Sequence, residues 1–195
     1  MPENQRYNKC YWCGTDATSK EHVPPKNLFP KGSKKDMITV GSCKTHNEMF
    51  SKLDERLRFH LTFVSDSPIA QELFTKKSIK GISRPESRKL SHNLVNNFVP
   101  DYNGKKLQRE DTRILDLYFE KIIRGLHFHH SNSHFKGSTS YFSNKVSHLQ
   151  MTANAHFYFY CIANENQDEW IEGSAVNKEV FFYQYRFCEE ENRFL

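Results

Sequence analysis

Two stretches of this sequence determine how its N-terminal part folds: Cys10-Tyr-Trp-Cys13-Gly14 and Cys43-Lys-Thr-His46. Each stretch holds two metal ligands three positions apart, and the glycine after Cys13 allows the tight turn that brings two thiolates to one ion. Cys43 also opens a predicted helix, whose positive dipole end favours the thiolate form. Four protein ligands leave no open position for water, so the set predicts a structural zinc ion rather than a catalytic one.

The alternative for these residues is a redox-active Cys-x-x-Cys motif, with Cys43 buried separately. A thioredoxin-like motif belongs within a βαβ pattern, which the sequence around Cys10 lacks. The other two cysteines, Cys161 and Cys188, fall in aromatic segments and do not suggest a disulfide framework. Zinc is therefore favoured, and it would fold a segment too small to bury a core of its own.

The elements around the ligand pairs follow from local patterns. Short apolar runs at 21–23 and 37–40 predict two strands between the pairs. A helix follows, because apolar residues recur at three- and four-residue spacing at Phe50, Leu53, Leu57 and Leu61. Thr45 and Glu48 have the spacing of a capping box, which predicts that this helix begins at 45–47. The result is a predicted treble-clef-like, zinc-bound finger within residues 1–74.

A second set of polar residues lies inside this finger. The run Lys20-Glu-His-Val-Pro-Pro25 falls between the two ligand pairs, and Asn47 directly follows the second pair. The order of these motifs, with Cys-x-x-Cys first, an acidic residue and histidine next, and Cys-x-x-His-Asn at a helix start, resembles the HNH endonuclease family. More narrowly, the Glu-His-Val-Pro-Pro motif is similar to one in a group of bacterial HNH proteins. The resemblance covers about residues 10–59, under a third of the chain.

The resemblance implies a ββα-metal fold and a role for three residues. His22 would be the general base that activates water, and Glu21 and Asn47 would hold a catalytic divalent ion, Mg²⁺ or Mn²⁺. It implies hydrolysis of DNA, in duplex form, with RNA left open, and by analogy alone a role in bacterial defence. Two features depart from the family pattern. His46 stands where cysteine is usual, and the middle asparagine has no clear counterpart, Asp36 being the nearest polar residue.

The chemistry of phosphodiester hydrolysis requires these types of residue. It needs an in-line water, a base to deprotonate that water, and a cation for the charge that develops on the phosphate. Adjacent strand residues point to opposite faces, so Glu21 and His22 need a local irregularity to reach one phosphate, which Pro24-Pro25 could supply. The alternative function is a non-catalytic zinc module that binds nucleic acid or a protein partner without cutting.

The net charge of +5 is concentrated in the N-terminal half of the chain. Such a field attracts polyanions, of which nucleic acid is the commonest in a cell, although a solvated basic face is the alternative. Residues 75–110 are predicted to form a basic connector, either an arm that contacts phosphates or a solvated linker. Six of its cations lie in the first half of this stretch, at Lys76, Lys77, Lys80, Arg84, Arg88 and Lys89.

Residues 111–195 predict an α+β C-terminal region. Apolar spacing indicates a helix at 111–127, marked by Leu115, Tyr118, Ile122 and Leu126. Aromatic segments at 155–163 and 179–188 predict antiparallel strands whose rings pack in a core rather than stack on bases. The histidines that follow the helix, His127, His129, His130 and His134, predict a helix cap or a solvated loop, with a second metal site as the weaker alternative. The absence of a long apolar run and the polar N-terminus predict a cytoplasmic protein without a membrane span or a secretory leader.

Overall fold

The computed structural model describes residues 7–33, 37–65, 67–96, 98–100, 106–108, 112–139, 169–173, 177–188 and 193–194. It combines helices with small two-stranded antiparallel sheets, so the predicted mixture of helix and strand is confirmed. The chain forms two compact units, Met1–Phe135 and Lys136–Leu195. This division differs from the predicted boundaries after residues 74 and 110, because the helix predicted at 111–127 belongs to the first unit.

The first unit begins with a two-stranded hairpin. Strands β1 (Ser19–His22) and β2 (Thr39–Ser42) pair antiparallel, and the predicted strands overlap both, offset by one or two residues. One further bond runs from the Val23 N–H to the carbonyl of Ile38. The ladder ends at Pro24, which has no N–H to donate and follows Val23 through a cis peptide bond.

The turn that carries Cys10 packs directly on strand β2. The Tyr11 N–H donates to the carbonyl of Gly41 at 2.9 Å. A Cβ atom at position 41 would lie 2.5 Å from the carbonyl oxygen of Lys9. Only glycine therefore lets the two segments approach this closely, and the approach brings Cys10 next to the end of the hairpin.

Helix α1 (Lys44–Val64) follows the hairpin after a single residue, Cys43, which is its N-cap. The predicted capping box is wrong, because the helix begins at Lys44 and Thr45 lies inside the first turn, and no side-chain cap bond forms. Phe50 and Leu57 of the predicted apolar face are fully buried, and this face packs against the hairpin and against a later helix.

Residues 68–96 form a series of short helices that we call the helical arm. It comprises α2 (Pro68–Leu73), a π-helical turn, α3 (Ile79–Ile82), a 3₁₀ turn and α4 (Arg88–Asn96). Phe74 packs on Phe59 and Phe63 of α1, with ring centroids 5.5 and 5.8 Å apart. Much of the predicted basic connector is thus helical, and its first turn packs on α1. A short hairpin follows, made of β3 (Phe98–Pro100) and β4 (Lys106–Gln108).

Helix α5 (Thr112–Ser131) completes the described part of the first unit and agrees with the helix predicted at 111–127. It runs four residues further than predicted and ends at Ser131, and the next residue, Asn132, has a left-handed φ of 53°. His127, His129 and His130 therefore lie within the helix, not after it. No helix in the ranges given above is long and apolar enough to cross a bilayer.

In the second unit the structure describes two short hairpins. They pair β5 (Ile171–Glu172) with β6 (Gln184–Tyr185), and β7 (Phe187–Cys188) with β8 (Arg193–Phe194). The predicted strand at 179–188 is therefore shorter and interrupted. Tyr183 and Arg186 are both buried while Phe187 is exposed, so the expected inward set of alternate aromatics does not continue to the strand end. The strand predicted at 155–163 lies outside the described residues.

Candidate metal centre and active site

The first half of the candidate metal centre is the turn at Cys10–Cys13. The Cys10 N–H donates to the Thr15 carbonyl at 2.7 Å, and the Gly14 N–H donates to the Cys10 carbonyl at 2.9 Å. Gly14 has a φ of 77°, in the left-handed region that favours glycine. The backbone folds back on itself here, and this brings the two cysteine side chains to the same side.

Helix α1 supplies the second half, with Cys43 as its N-cap and His46 in its first turn. The Sγ atoms of Cys13 and Cys43 are 3.9 Å apart. His46 Nδ1 lies 3.6 Å from the Cys10 Sγ and 3.2 Å from the Cys43 Sγ. All four donor atoms lie within 4.8 Å of one another. A tetrahedral zinc ion with Zn–S bonds of about 2.3 Å would separate two sulfurs by about 3.8 Å, so the spacing fits such an ion.

The prediction that these four residues form one group able to hold a metal ion is confirmed. We call Cys10, Cys13, Cys43 and His46 the Cys₃His group. In the part of the chain that the structure describes, it is the only set of three or more His, Cys, Asp or Glu side chains that converges in this way. The identity of the ion as zinc stays a prediction.

The pKa values of three members of the Cys₃His group are shifted in different directions. Burial raises the pKa of Cys10, against the opposing effect of nearby backbone hydrogen bonds. Burial also pushes the pKa of Cys13 upward, but hydrogen bonds with Thr15 and the neighbouring cysteines outweigh it and leave that pKa below its usual value. Burial lowers the pKa of His46, which keeps its imidazole in the neutral form that binds metals.

Helix α5 and the residues after it form a second layer around the Cys₃His group. The His134 Nε2–H donates to the Cys10 carbonyl at 2.9 Å, across 124 positions of the chain. The Arg124 guanidinium lies 4.9 Å from the centroid of the Trp12 ring, which in turn packs on Phe50. His134 lies after α5, outside regular secondary structure, where it supports the backbone of the ligand Cys10.

The predicted catalytic residues occupy regular secondary structure. Glu21 lies opposite Val40 and His22 opposite Thr39, with no bulge between them. Because neighbouring strand residues alternate, the buried Glu21 faces the interior and the half-buried His22 faces the other side of β1. The irregularity that both residues need to reach one phosphate is thus absent at these two positions.

Asn47 lies in the first turn of α1, next to His46. Its N–H donates to the Cys43 carbonyl at 3.0 Å, and its side chain is half-buried. Asp36, the nearest candidate for the missing middle asparagine, lies outside the described residues.

Glu21 already has a cationic partner inside the protein. Its Oε1 lies 3.3 Å from Lys121 Nζ, and the same nitrogen donates to Asp54 Oδ1 at 2.5 Å. We call Glu21, Asp54 and Lys121 the buried triad, because Lys121 has no exposed surface and Glu21 is only 6% exposed. Burial raises the pKa of both Glu21 and Asp54, although the Lys121 ammonium opposes this rise.

Two tyrosines adjoin the buried triad. The hydroxyl groups of Tyr11 and Tyr118 are buried, and neither has a hydrogen-bond partner among the described residues. Burial raises the pKa of both phenols, with further increases from the charge of Glu21 on Tyr11 and of Asp54 on both. The predicted ligand Glu21 thus belongs to a buried, charged centre.

Sequence reasoning missed Asp54 and Lys121. A signal was present, because Lys121 follows Tyr118 by three positions and so lies on the apolar face predicted for α5. Asp54 interrupts the apolar face of α1 in the same way, four positions after Phe50. A charged residue on each of two packed apolar faces points to a buried ion pair.

No protein-family model, curated protein or solved structure matches this chain. Its functional interpretation therefore depends on the geometry of its own residues. That geometry provides one group able to hold a metal ion, a half-buried histidine on the adjoining hairpin, and a buried triad behind that histidine.

Proposed function

We propose that the protein is a metal-dependent endonuclease of the HNH type that hydrolyses phosphodiester bonds in duplex DNA. The observation that supports this most is an arrangement of three elements. A hairpin that carries His22 leads through Cys43 into a helix, and the Cys₃His group ties the start of that helix to the N-terminal turn. A ββα-metal finger, with zinc as its structural ion, has this order of elements.

In this proposal His22 removes a proton from the attacking water. Its side chain is half-buried, which leaves it accessible to a substrate phosphate while holding its orientation. Asn47 directly follows the metal ligand His46 in the first turn of α1. The Cys₃His group would therefore also determine where Asn47 lies. The structural ion would thus shape the reaction centre without entering the reaction.

Glu21 and Asn47 are the proposed ligands of a Mg²⁺ or Mn²⁺ ion, which would stabilise the charge that develops on the phosphate. The fit to Glu21 is incomplete, since Lys121 already contacts one of its carboxylate oxygens in a buried setting. A divalent ion also prefers several oxygen ligands and retained waters.

The test is a plasmid-nicking assay on the purified chain with Mg²⁺ or Mn²⁺. His22→Ala is expected to reduce nicking by about 100-fold or more, because general-base catalysis contributes that much. Zinc content and circular dichroism should stay at their wild-type values. The matched control is His92→Ala, an exposed histidine on α4, which should nick at the wild-type rate. A His22→Ala protein that still nicks at that rate would remove His22 from the mechanism.

A second function is supported by one observation, the contact of Glu21 with Lys121 in place of a divalent ion. In this second function, the protein is a non-catalytic zinc module that binds nucleic acid or a protein partner. Retention of plasmid in a gel shift, with no nicking across several divalent metals, would favour it. A parallel digest of an RNA of equal length distinguishes the two nucleic acids as substrates.

A further inference from the structure

Helix α5 contacts the residues on both sides of His22. Lys121 Nζ reaches Glu21, the residue before His22, at 3.3 Å. Gly125 lies against Val23, the residue after it, so closely that a Cβ at position 125 would be 2.5 Å from Val23 Cγ2. Positions 121 and 125 are one helical turn apart and share a face. One face of α5 therefore holds the strand end that carries His22 at two points.

The Lys121 contact is unusual in its burial. Its ammonium is fully removed from water, contacts carboxylates from β1 and α1, and lies 5.1 Å from the centroid of the Phe50 ring. A buried ion pair adds little stability compared with apolar side chains of the same volume. It does restrict geometry, because each carboxylate must meet the same nitrogen from its own element. Three separate elements, β1, α1 and α5, are fixed relative to one another at this atom.

The Gly125 contact restricts the same strand end by shape. Val23 is 1% exposed and has little room to turn. Its two methyl carbons lie 2.5 and 3.1 Å from the place where a Cβ on residue 125 would stand, closer than an ordinary van der Waals contact. Glycine inside a helix is otherwise unfavourable, so its position here is explained by the close approach of Val23.

We propose that Lys121 is a positioning residue for His22. It acts through Glu21, while Gly125 acts through Val23, and together they hold the imidazole where it meets a substrate phosphate. This inference rests on the proposed role of His22 as the base. Lys121 itself touches neither water nor substrate in this role.

The first test replaces Lys121 with methionine, which keeps the length of the side chain and removes the ammonium. Lys121→Met is expected to lower kcat for plasmid nicking by about 100-fold, the loss that follows a misplacement of about 1 Å. KM for plasmid should stay within about twofold, since no substrate contact is removed. The matched control is Asp54→Asn, which disturbs the same buried triad but leaves Lys121 and Glu21 paired. A role in stability alone predicts equal losses of kcat for both variants.

A second measurement does not depend on nicking. The ring signals of ¹³C-labelled histidine are recorded by NMR at one pH, with His22 identified from the signal missing in His22→Ala. Lys121→Met should shift and broaden the His22 signal, whereas Asp54→Asn should leave it close to its wild-type position. If the wild type never nicks DNA but this pattern holds, the proposed function fails and the positioning role stands.

A steric pair tests the same inference without altering charge. Gly125→Ala adds a Cβ against Val23 and should displace the His22 signal and lower kcat, even though alanine favours the helix itself. Val23→Ala in the same chain removes both methyl groups and should restore the signal and most of the rate. This pair decides the question if Lys121→Met does not fold. A folded Lys121→Met with wild-type kcat and His22 signal, or a Val23→Ala/Gly125→Ala protein whose signal stays displaced, overturns the proposal.

Discussion

The Cys₃His group and the buried triad lie in the same unit but differ in their access to water. Cys13 is exposed, and Cys43 and His46 are half-buried, so an ion can reach the Cys₃His group from solvent. The buried triad has little contact with water, and its cation is the ammonium of Lys121. One centre is built to receive a cation, and the other contains its own.

This difference separates the two centres of the first unit. The Cys₃His group joins the N-terminal turn at Cys10–Cys13 to the start of α1, beside the apolar contact of Trp12 with Phe50. The buried triad joins β1, α1 and α5, which are far apart along the chain, behind the strand that carries His22.

Loss of a metal ligand should have the largest effect. Apparent binding free energies of structural zinc, about 10–16 kcal/mol, match or exceed the stability of a typical domain, about 5–15 kcal/mol. Cys43→Ala should therefore lose the ion and unfold the first unit, measured by metal analysis and circular dichroism. Cys161→Ala, which removes a cysteine outside the predicted ligand set, is the control. A Cys43→Ala protein that melts like the wild type would contradict a structural role for the ion.

Breaking the buried triad should lower the free energy of unfolding by less than loss of a metal ligand does. Removing one partner of a buried ion pair leaves an uncompensated charge and costs about 3–5 kcal/mol, so Lys121→Met should lose about this much free energy of unfolding in urea. Adding Glu21→Gln and Asp54→Asn removes the uncompensated charges and should recover part of the loss. Lys80→Met, at an exposed position of the helical arm, should stay within about 0.5 kcal/mol. Metal content should be unchanged in all of these variants, and a loss of metal would link the two centres.

Loss of the hydrogen bond from His134 should have a smaller effect, which is limited to the metal affinity of the Cys₃His group. His134→Ala removes the donor to the Cys10 carbonyl, and loss of such a supporting bond lowers metal affinity by about 10-fold. Competition with a chromophoric chelator measures this affinity. His134→Gln keeps an N–H donor and should retain most of it, and His92→Ala should have no effect. Equal affinities for His134→Ala and the wild type would show that the bond does not support the ligand turn.

The smallest expected effect is on the pH dependence of the free energy of unfolding, whose sign differs between the two centres. Burial raises the pKa of Glu21 and Asp54 above their ordinary values of 4.5 and 3.8, so the folded protein takes up protons at a higher pH than the unfolded chain. Their contribution to the free energy of unfolding therefore grows as pH falls through the window above those values, and shrinks as pH rises through it. The Cys₃His group has the opposite sign, because protons compete with the metal for thiolates.

Urea unfolding at saturating zinc, from pH 7 down through this window, tests the sign. The free energy of unfolding of the wild type minus that of Glu21→Gln/Asp54→Asn should grow as pH falls. A difference that shrinks on acidification would mean that the folded protein holds these carboxylates ionised. Metal content is measured in the same samples, so that release of the ion is not mistaken for titration of the buried triad.

The sequence predicted the local features of this molecule well. The four members of the Cys₃His group follow from a repeated ligand spacing, and α1 and α5 follow from apolar periodicity, because both signals lie within short windows. The capping box failed since Cys43, not Thr45, takes the N-cap position. The helical arm was missed because its helices are short, and the contacts of α2 and the π-helical turn with α1 leave no signal in local spacing.

The long-range features could not be predicted from spacing. Asp54 and Lys121 are 67 positions apart, and Cys10 and His134 are 124 apart, so only the tertiary fold brings them together. The position of Glu21 changed most, from a predicted metal ligand near His22 to a member of the buried triad on the opposite face of β1.

The most direct measurement is the rate of plasmid nicking by the wild type and His22→Ala, with zinc content determined in the same samples. If the Cys₃His group folds the finger and His22 performs the chemistry, both proteins hold one zinc ion per chain. Only the wild type then nicks the plasmid when Mg²⁺ or Mn²⁺ is added. Nicking by His22→Ala at the wild-type rate, or an inactive wild type that holds its zinc and is correctly folded, would contradict this division of tasks.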